Sequence, residues 1–484
     1  MNCRHFDINQ NVIYYSITIN QYAKMRITEN TRTKIFHLNM LALLFGLLIV
    51  SLSVKGQDMG ADERKSMDKT NYAGLKGAGK GVSGPGSNLS PEKMQWWEDQ
   101  KFGMFIHWGL YAIPATGEWT MFNKKIPAEE YAKLAGQFNP QHFSGAEWAK
   151  VAKEAGMKYM VMVARHHDGF AMWNSPASYA HFNSWETAAH HDFVKEYTHA
   201  CRKAGLKVGI YYSPLDWRFP GYFNPKGLPE NAALLKKQTY GQVEELMKNY
   251  GKVDILWYDG GWLAHKGGDA DAAWFWEPLK LNGMVRSYQP DIVINPRSGM
   301  VGDFETNEGN APVKGPIIPI PWEKCLNLNG SSWGYNTAQR LMSVKSLVDM
   351  LVNTVDRGGN MLLNVGPDPD GVIPPTHVAR LKEVGDWLTK NGESIYGTRP
   401  GPFQPVDEVY GATYKGNMIY IHLLKLPAGS NEVKLPPIAQ RVVSCKVLNG
   451  QKVNFKQDKA GIIFSIDPRL LDSVVTTIAL KIKR

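Results

Sequence analysis

Cysteine is scarce in this chain: four in 484 residues (Cys3, Cys201, Cys325 and Cys445), with no CxxC pair. That excludes a dense disulfide framework and the zinc and redox motifs built on paired cysteines. No HExxH segment occurs either, so the usual zinc-hydrolase helix is missing. The net charge of +10 is not gathered into a basic stripe. Arg4, Lys24, Arg26, Arg32, Lys34 and Lys55, against Asp7 and Glu29, supply +4 of it within residues 1–56. The rest is spread thinly over more than 400 residues, which argues against nucleic acid as a partner.

A long membrane-spanning run is also lacking. Met40-Leu-Ala-Leu-Leu-Phe-Gly-Leu-Leu-Ile-Val-Ser-Leu52 is apolar, but a spanning helix needs roughly 20 such residues. With Arg26, Arg32 and Lys34 ahead of it, the run reads as the core of a secretory signal. Residues 1–56 are therefore expected as a cleaved signal region, with an uncleaved anchor as the alternative. Residues before Met25 are superfluous to it, so Met25 or Met40 is the expected start. No Cys follows the core, so a lipoprotein anchor is not indicated. The expected location is secreted or periplasmic, with no stable membrane insertion after cleavage. Residues 57–91, rich in Gly, Ser and Lys, read as a flexible linker. Gly79-Lys-Gly81-Val-Ser-Gly84 matches GxGxxG, but no strand precedes it, so it carries no dinucleotide reading.

From residue 92 to 397 short apolar runs alternate with amphipathic stretches. Strands are predicted over Phe102–Trp108, Tyr159–Ala164, Lys207–Tyr212, Val253–Tyr258, Ile292–Asn295 and Met361–Val365. Helices are predicted after the capping box Ser144-Gly-Ala-Glu147, over Asp192–Ala204, Ala232–Tyr250 and Ser343–Asp356, each with a glycine at or just past its end. Such alternation over about 300 residues fits an α/β fold, a (β/α)8-like barrel of the TIM type, with a doubly wound sheet as the alternative. Residues 398–484 lose helical periodicity and read as a C-terminal antiparallel β-sandwich.

All fifteen tryptophans lie between Trp96 and Trp387. Interleaved with His and carboxylates, they suit a sugar-binding cleft. In barrels of this kind the chemistry sits at the C-terminal strand ends. There stand His107, Arg165-His166-His167-Asp168, Ser213, Asp216, Asp259, Asn295 and Arg297. Asp259 closes the apolar run Ile255-Leu-Trp-Tyr and is the first choice for a nucleophile on a rigid element. Glycoside hydrolysis needs a second carboxyl. Asp303, Glu305 and Glu308 offer it, and spacing alone does not choose among them. His166 and His167 are adjacent, so one strand would aim them at opposite faces, and neutral imidazoles bonding sugar hydroxyls are preferred to a metal site. Trp119, Trp257, Trp262 and Trp333 can stack on a ring. Arg297 can hold a carboxylate ionised.

Several segments resemble the α-L-fucosidases of glycoside hydrolase family 29. They are Lys101-Phe-Gly-Met-Phe-Ile-His107-Trp-Gly109, Glu118-Trp119, Lys158-Tyr-Met-Val-Met-Val-Ala-Arg-His166-His167-Asp168 and Gly205-Leu-Lys-Val-Gly-Ile-Tyr-Tyr-Ser213. Leu256-Trp-Tyr-Asp259-Gly, Trp322-Glu-Lys-Cys, Ser332-Trp-Gly-Tyr335 and Leu362-Leu-Asn-Val-Gly-Pro367 continue it, in chain order, from about Trp96 to Gly401. The resemblance implies a barrel followed by a β-sandwich and retaining hydrolysis of terminal α-L-fucose, without cofactor or metal, from fucosylated oligosaccharides or glycoproteins. By motif, Asp259 is the implied nucleophile. His107, His166, His167, Tyr212, Trp257 and Arg297 are implied fucose contacts, with Glu118 and Trp119 beside them and Trp333 facing the C5 methyl. The family's Thr-Pro-Glu reads Thr306-Asn-Glu308 here, so Glu308 is the implied acid/base and Glu305 the second choice. The alternatives are a non-catalytic fucose-binding barrel, a metal-dependent hydrolase using His107, His166 and His167, and a hydrolase of a related sugar.

Overall fold

A computed structural model describes residue 75 and residues 80–483, apart from residues 339, 428 and 449. The expected signal region, 1–56, and most of the expected linker lie outside these residues.

Eight strands follow one another: β1 (Phe102–Ile106), β2 (Tyr159–Arg165), β3 (Lys207–Tyr212), β4 (Ile255–Tyr258), β5 (Val293–Ile294), β6 (Glu305–Glu308), β7 (Trp322–Asn327) and β8 (Asn360–Val365). They form one parallel sheet in the order β5-β4-β3-β2-β1-β8-β7-β6. Because β8 returns to β1, the sheet curls into the expected (β/α)8-like barrel, open between β5 and β6. The longer helices are α1 (Pro91–Gln100), α2 (Gly145–Glu154), α3 (Phe193–Ala204), α4 (Pro229–Asn249), α5 (Pro278–Tyr288), α6 (Val344–Val355) and α7 (Pro375–Asn391). Ser144, Asp192 and Ser343 cap α2, α3 and α6 by accepting backbone N–H groups, as their sequence predicts. The sequence reading misses α1, α5 and α7. Each begins on a proline, whose fixed φ and missing N–H suit a first helical turn but read equally as a loop.

Alternation along the strands divides the apolar side chains into two layers. Phe105, Tyr159, Val161, Tyr211, Ile255, Trp257, Cys325 and Leu362 fill the barrel interior. A larger set, including Met104, Met160, Ile210, Leu256 and Leu326, packs between sheet and helices. The interior is tight enough to dictate a glycine: a Cβ on Gly103 would lie 2.4 Å from the Tyr159 ring.

Strands β6 and β7 add to the six predicted ones. β6 is Glu-Thr-Asn-Glu, with none of the apolar signal that marks a buried strand. Its approach to β5 is made by one side chain. Asp303 donates its N–H to the Ile294 carbonyl at 2.7 Å, and its carboxylate accepts from the N–H groups of Ile294 and Leu89, both at 2.7 Å. Arg286 adds a bond at 2.9 Å. Residues 80–90, the last part of the expected linker, run along this opening. Val82 pairs with Gly299 and Val301, and Asn88 bonds the Gly302 carbonyl at 2.7 Å.

The rest of the chain forms two antiparallel sheets. One has the order β13-β16-β11-β10-β9 and the other β12-β15-β14. Their strands are β9 (Arg399–Pro400), β10 (Tyr410–Lys415), β11 (Met418–Leu423), β12 (Glu432–Leu435), β13 (Val442–Val447), β14 (Asn454–Asp458), β15 (Gly461–Ser465) and β16 (Thr476–Ile482). Ile421, Val433, Ile462, Phe464 and Ile478 fill the core of this C-terminal β-sandwich. Asp356, His422 and Ser394 line up at 2.7 and 2.9 Å where it meets the barrel, but all three are fully buried. That makes them a staple between domains rather than a hydrolytic triad. Cys201, Cys325 and Cys445 are buried free thiols.

Replacing Asp303 by Ala should leave the Arg286 cation without its carboxylate partner and the backbone N–H groups of Ile294 and Leu89 without an acceptor. A loss of roughly 3–5 kcal/mol is expected, read as a lower urea midpoint. A midpoint equal to that of the natural chain would contradict the stapling role.

Candidate active site

The functional side chains converge at the C-terminal mouth of the barrel. Asp259 follows β4. Its turn needs glycine twice: Gly260 has φ +76°, and a Cβ on Gly261 would lie 2.4 Å from the Arg297 carbonyl. That close approach brings in Arg297, on a short turn after β5. Arg297 bonds one Asp259 oxygen at 2.7 Å, and Tyr211 donates its hydroxyl to the other at 2.9 Å. The second arm of Arg297 bonds Glu308 at 2.5 Å. One guanidinium thus grips two carboxylates, and its Cζ lies 5.0 Å from the centre of the Trp257 ring. The Trp257 indole is itself held by Glu323, at 3.0 Å, inside the barrel.

Strand pleating separates the candidate acids. In a parallel ladder, paired residues share a face. Glu308 pairs with Cys325 and Thr306 with Glu323, both turned into the barrel. Glu305 pairs with Trp322, which belongs to the outer layer. Glu305, the second choice from sequence, therefore points away from the cleft, about 10 Å down the strand from Glu308. Asp303 is consumed by the β5–β6 staple. Burial pushes the Glu308 carboxyl above its ordinary range; the Arg297 cation opposes this and the nearby Asp259 charge adds to it.

Three histidines line the opposite wall. His107 Nδ1 bonds Asn364 Oδ1 at 2.7 Å, and the Asn364 amide donates to the Trp333 carbonyl, which fixes its orientation. His107 therefore carries its proton on Nδ1. His166 and His167 both enter the site, contrary to the opposite-faces argument. The strand stops at Arg165, the chain turns, and the two rings lie 4.1 Å apart. His167 Nδ1 bonds Ser213 at 2.7 Å, and its Nε2 lies 3.6 Å from Asp259. Nδ1 of His166 is buried with no hydrogen-bond partner. Burial drives the pKa of His107 down to about 4 and those of His166 and His167 well below the ordinary value, so all three are neutral imidazoles near pH 7. Among the described residues, no group of three His, Cys, Asp or Glu side chains is arranged to hold a metal ion.

The remaining expected residues divide. Glu118 accepts the backbone N–H groups of Trp333 and Gly334 at 2.9 and 2.8 Å, so it positions the loop that carries Trp333. Trp333 stands 5.2 Å from His107. Trp119 lies 5.4 Å from His167 and 5.2 Å from Trp217. Tyr212 is the correction. Its hydroxyl bonds Gln242 on α4 at 3.0 Å, on the outer side of the sheet, while Tyr211, in register with Trp257, faces the cleft. Sequence reasoning placed Ser213 at a strand end but missed Tyr211, Asn364 and Trp217. Asn364 left a signal, a polar residue inside an apolar strand; the others did not.

The family model described as Alpha-L-fucosidase matches residues 85–393. The chain belongs to the α-L-fucosidase family. Among its relatives, the tissue alpha-L-fucosidase of Bos taurus is 32% identical over 74% of this chain and 80% of that protein. Among solved structures, alpha-L-fucosidase isoenzyme 1 from Paenibacillus thiaminolyticus is 35% identical, with a TM-score of 0.72 over 81% of this chain and 99% of that one. An alpha-L-fucosidase of glycoside hydrolase family 29 from Bacteroides thetaiotaomicron, trapped as a covalent intermediate with 2-fluoro-fucosyl fluoride, is 25% identical. Its TM-score is 0.75 over 84% of this chain and 99% of that one. The chain is thus a glycoside hydrolase of fucosides, with a site of the geometry above.

The two adjacent tyrosines should separate cleanly. Tyr211→Phe removes a hydrogen bond to a charged group, worth about 1.5–3 kcal/mol, so kcat/KM on an aryl fucoside should fall about 10- to 100-fold. Tyr212→Phe should leave kcat/KM within about twofold and cost about 1 kcal/mol of stability. The opposite pattern would place the wrong tyrosine in the cleft.

Proposed function

We propose that this family member releases terminal α-L-fucose with retention, with Asp259 as nucleophile and Glu308 as acid/base. The observation that carries the assignment is the single Arg297 guanidinium held by both carboxylates. A retaining pair works at roughly 5–5.5 Å, a separation that one bridging group suits and that an intervening water, as in inverting enzymes, would not. The trapped covalent intermediate of the Bacteroides relative supports the same two-step chemistry.

In the first step Asp259 attacks the anomeric carbon from the face opposite the leaving group. The C1–O bond breaks as Glu308 delivers its proton to the departing oxygen, leaving fucose as an ester on Asp259. In the second step Glu308 takes a proton from water, whose oxygen attacks C1 and displaces Asp259. Two inversions give net retention. Neutral His107, His166 and His167 accept and donate hydrogen bonds to the sugar hydroxyls, and the unpartnered Nδ1 of His166 finds its partner there. Trp333 stands against the C5 methyl, and Trp119 and Trp257 bound the sugar on its other sides. Glu118 acts by holding Trp333. The substrate is a fucosylated glycan, and the apolar run Met40–Leu52 behind its basic flank supports export.

Two variants test the roles. Asp259→Gly should abolish turnover, and azide should rescue it with inverted anomeric configuration. Glu308→Ala should slow cleavage of a natural oligosaccharide about 10²–10⁴-fold, with azide giving the retained product. Near-full activity of Glu308→Ala on that substrate would refute its role.

The pH dependence follows from the raised Glu308 pKa. The protonated acid is the active form, so kcat/KM should be present below that pKa and fall as pH rises through it. Glu308→Gln, assayed on an aryl fucoside with a good leaving group, should lose this alkaline fall. Persistence of the same limb would assign it to another group.

A further inference from the structure

The loops after β3 and β4 meet a second time, further out on the same rim as Asp259. There Phe223, Asn224, Lys226, Leu263, Lys266 and Trp274 border a shallow cavity of about 240 Å³. Trp274 is 59% exposed, although most tryptophans of this chain are buried. Lys226 lies 5.9 Å from the centre of its ring. Asp271 is the one carboxylate of the lining, and it accepts the Gly268 N–H at 2.8 Å. Two lysines therefore set the sign of the cavity.

A run of rings connects this cavity to the nucleophile. His167 lies 3.6 Å from Asp259, and Trp119 5.4 Å from His167. His265 follows at 5.8 Å and Phe223 at a further 5.8 Å. Ala264 and His265 are both held in left-handed backbone, a conformation that persists in non-glycine residues only where the surroundings impose it. His265 supplies that constraint, buried among Trp119, Phe122 and Tyr222 and accepting the Trp217 indole N–H at 3.3 Å. Leu263 is four residues beyond Asp259, so it stands at most about 14 Å away, within reach of a short oligosaccharide.

We propose that the cavity is a leaving-group subsite for a sugar carrying a carboxylate or a sulfate ester, so that the preferred substrate is a fucosylated acidic oligosaccharide. Trp274 offers a face for one sugar ring, and Lys226 and Lys266 pair with its anion. The proposal rests on the fucosidase reading of the Asp259–Glu308 site and names the other end of its substrate. Exposed charges of this kind give specificity more than affinity.

The test uses the full chain and four fucosides: an aryl fucoside, a neutral fucosyl oligosaccharide, and the same oligosaccharide with a sulfate or a uronate on the leaving side. The natural chain should prefer the acidic pair, and about 0.5 M NaCl, where the Debye length falls to about 4 Å, should erase the preference. Trp274→Ala should lower kcat/KM on the acidic oligosaccharides up to about tenfold. The double variant Lys226→Gln with Lys266→Gln should lower it about five- to tenfold on the acidic forms and leave the neutral one unchanged. Both variants should keep the aryl fucoside rate. The larger loss between the sulfate and uronate arms identifies the anion. Equal rates on neutral and acidic oligosaccharides, or a lysine variant that slows both alike, would overturn the subsite. Failure of the natural chain to turn over the aryl fucoside would instead overturn the fucosidase reading.

Discussion

The structure depends on Arg297 standing between Asp259 and Glu308. These acids end β4 and β6, strands that do not hydrogen-bond to each other, on either side of the place where the sheet is open. Arg297 carries the spatial relation that no ladder supplies. Its own turn is bolted to β4, because the Asn295 amide exchanges two 2.8 Å bonds with the backbone of Tyr258. Without Arg297 two buried carboxylates would face each other with no cation between them, so the guanidinium is what lets both acids share the site. Asp303 answers the same constraint from below. It joins β5 to β6 through one carboxylate, which leaves the mouth above free for Arg297 to reach across.

How much of this is legible in the sequence follows from which forces leave a pattern. Strands buried on both faces appear as apolar runs, and β1 to β5 and β8 are readable for that reason. β6 is not, because it borders the opening and its inward side chains, Thr306 and Glu308, are polar and bond Arg297. Asp259 is readable as the acid that ends an apolar strand. The choice between Glu305 and Glu308, and between Tyr211 and Tyr212, depends on which face each residue takes, and a one-residue change of phase reverses it. That phase is fixed by pairing with β7 and β4, which are distant in sequence. The turn that lets His166 and His167 share the cleft is equally silent, since two adjacent histidines look the same in a strand and in a bend.

The neutral histidines matter as much as the charged residues. Asp259, Glu308 and Arg297 together carry one negative charge in excess, and a proton on Glu308 removes it. A charged imidazole beside Asp259 would compete with Arg297 and favour an ionised Glu308, which has no proton to give. Burial among aromatic rings prevents that by holding His107, His166 and His167 neutral. They can then bond hydroxyls without altering the charge balance on which the acid depends.

In the proposed mechanism the same balance lets Glu308 change role between the two steps. While Asp259 is anionic it shares Arg297 and, by repulsion, helps keep the Glu308 proton in place. Once Asp259 becomes a sugar ester its charge is gone. Of the two acids that Arg297 bonds, only Glu308 then carries charge, and both the lost repulsion and the undivided cation lower the Glu308 pKa. The residue that was an acid becomes a base at the moment a water must be deprotonated. Release of fucose restores the Asp259 charge and returns Glu308 to its protonated form. A single shared guanidinium thus couples the charge on the nucleophile to the proton on its partner, which two separate cations would not do.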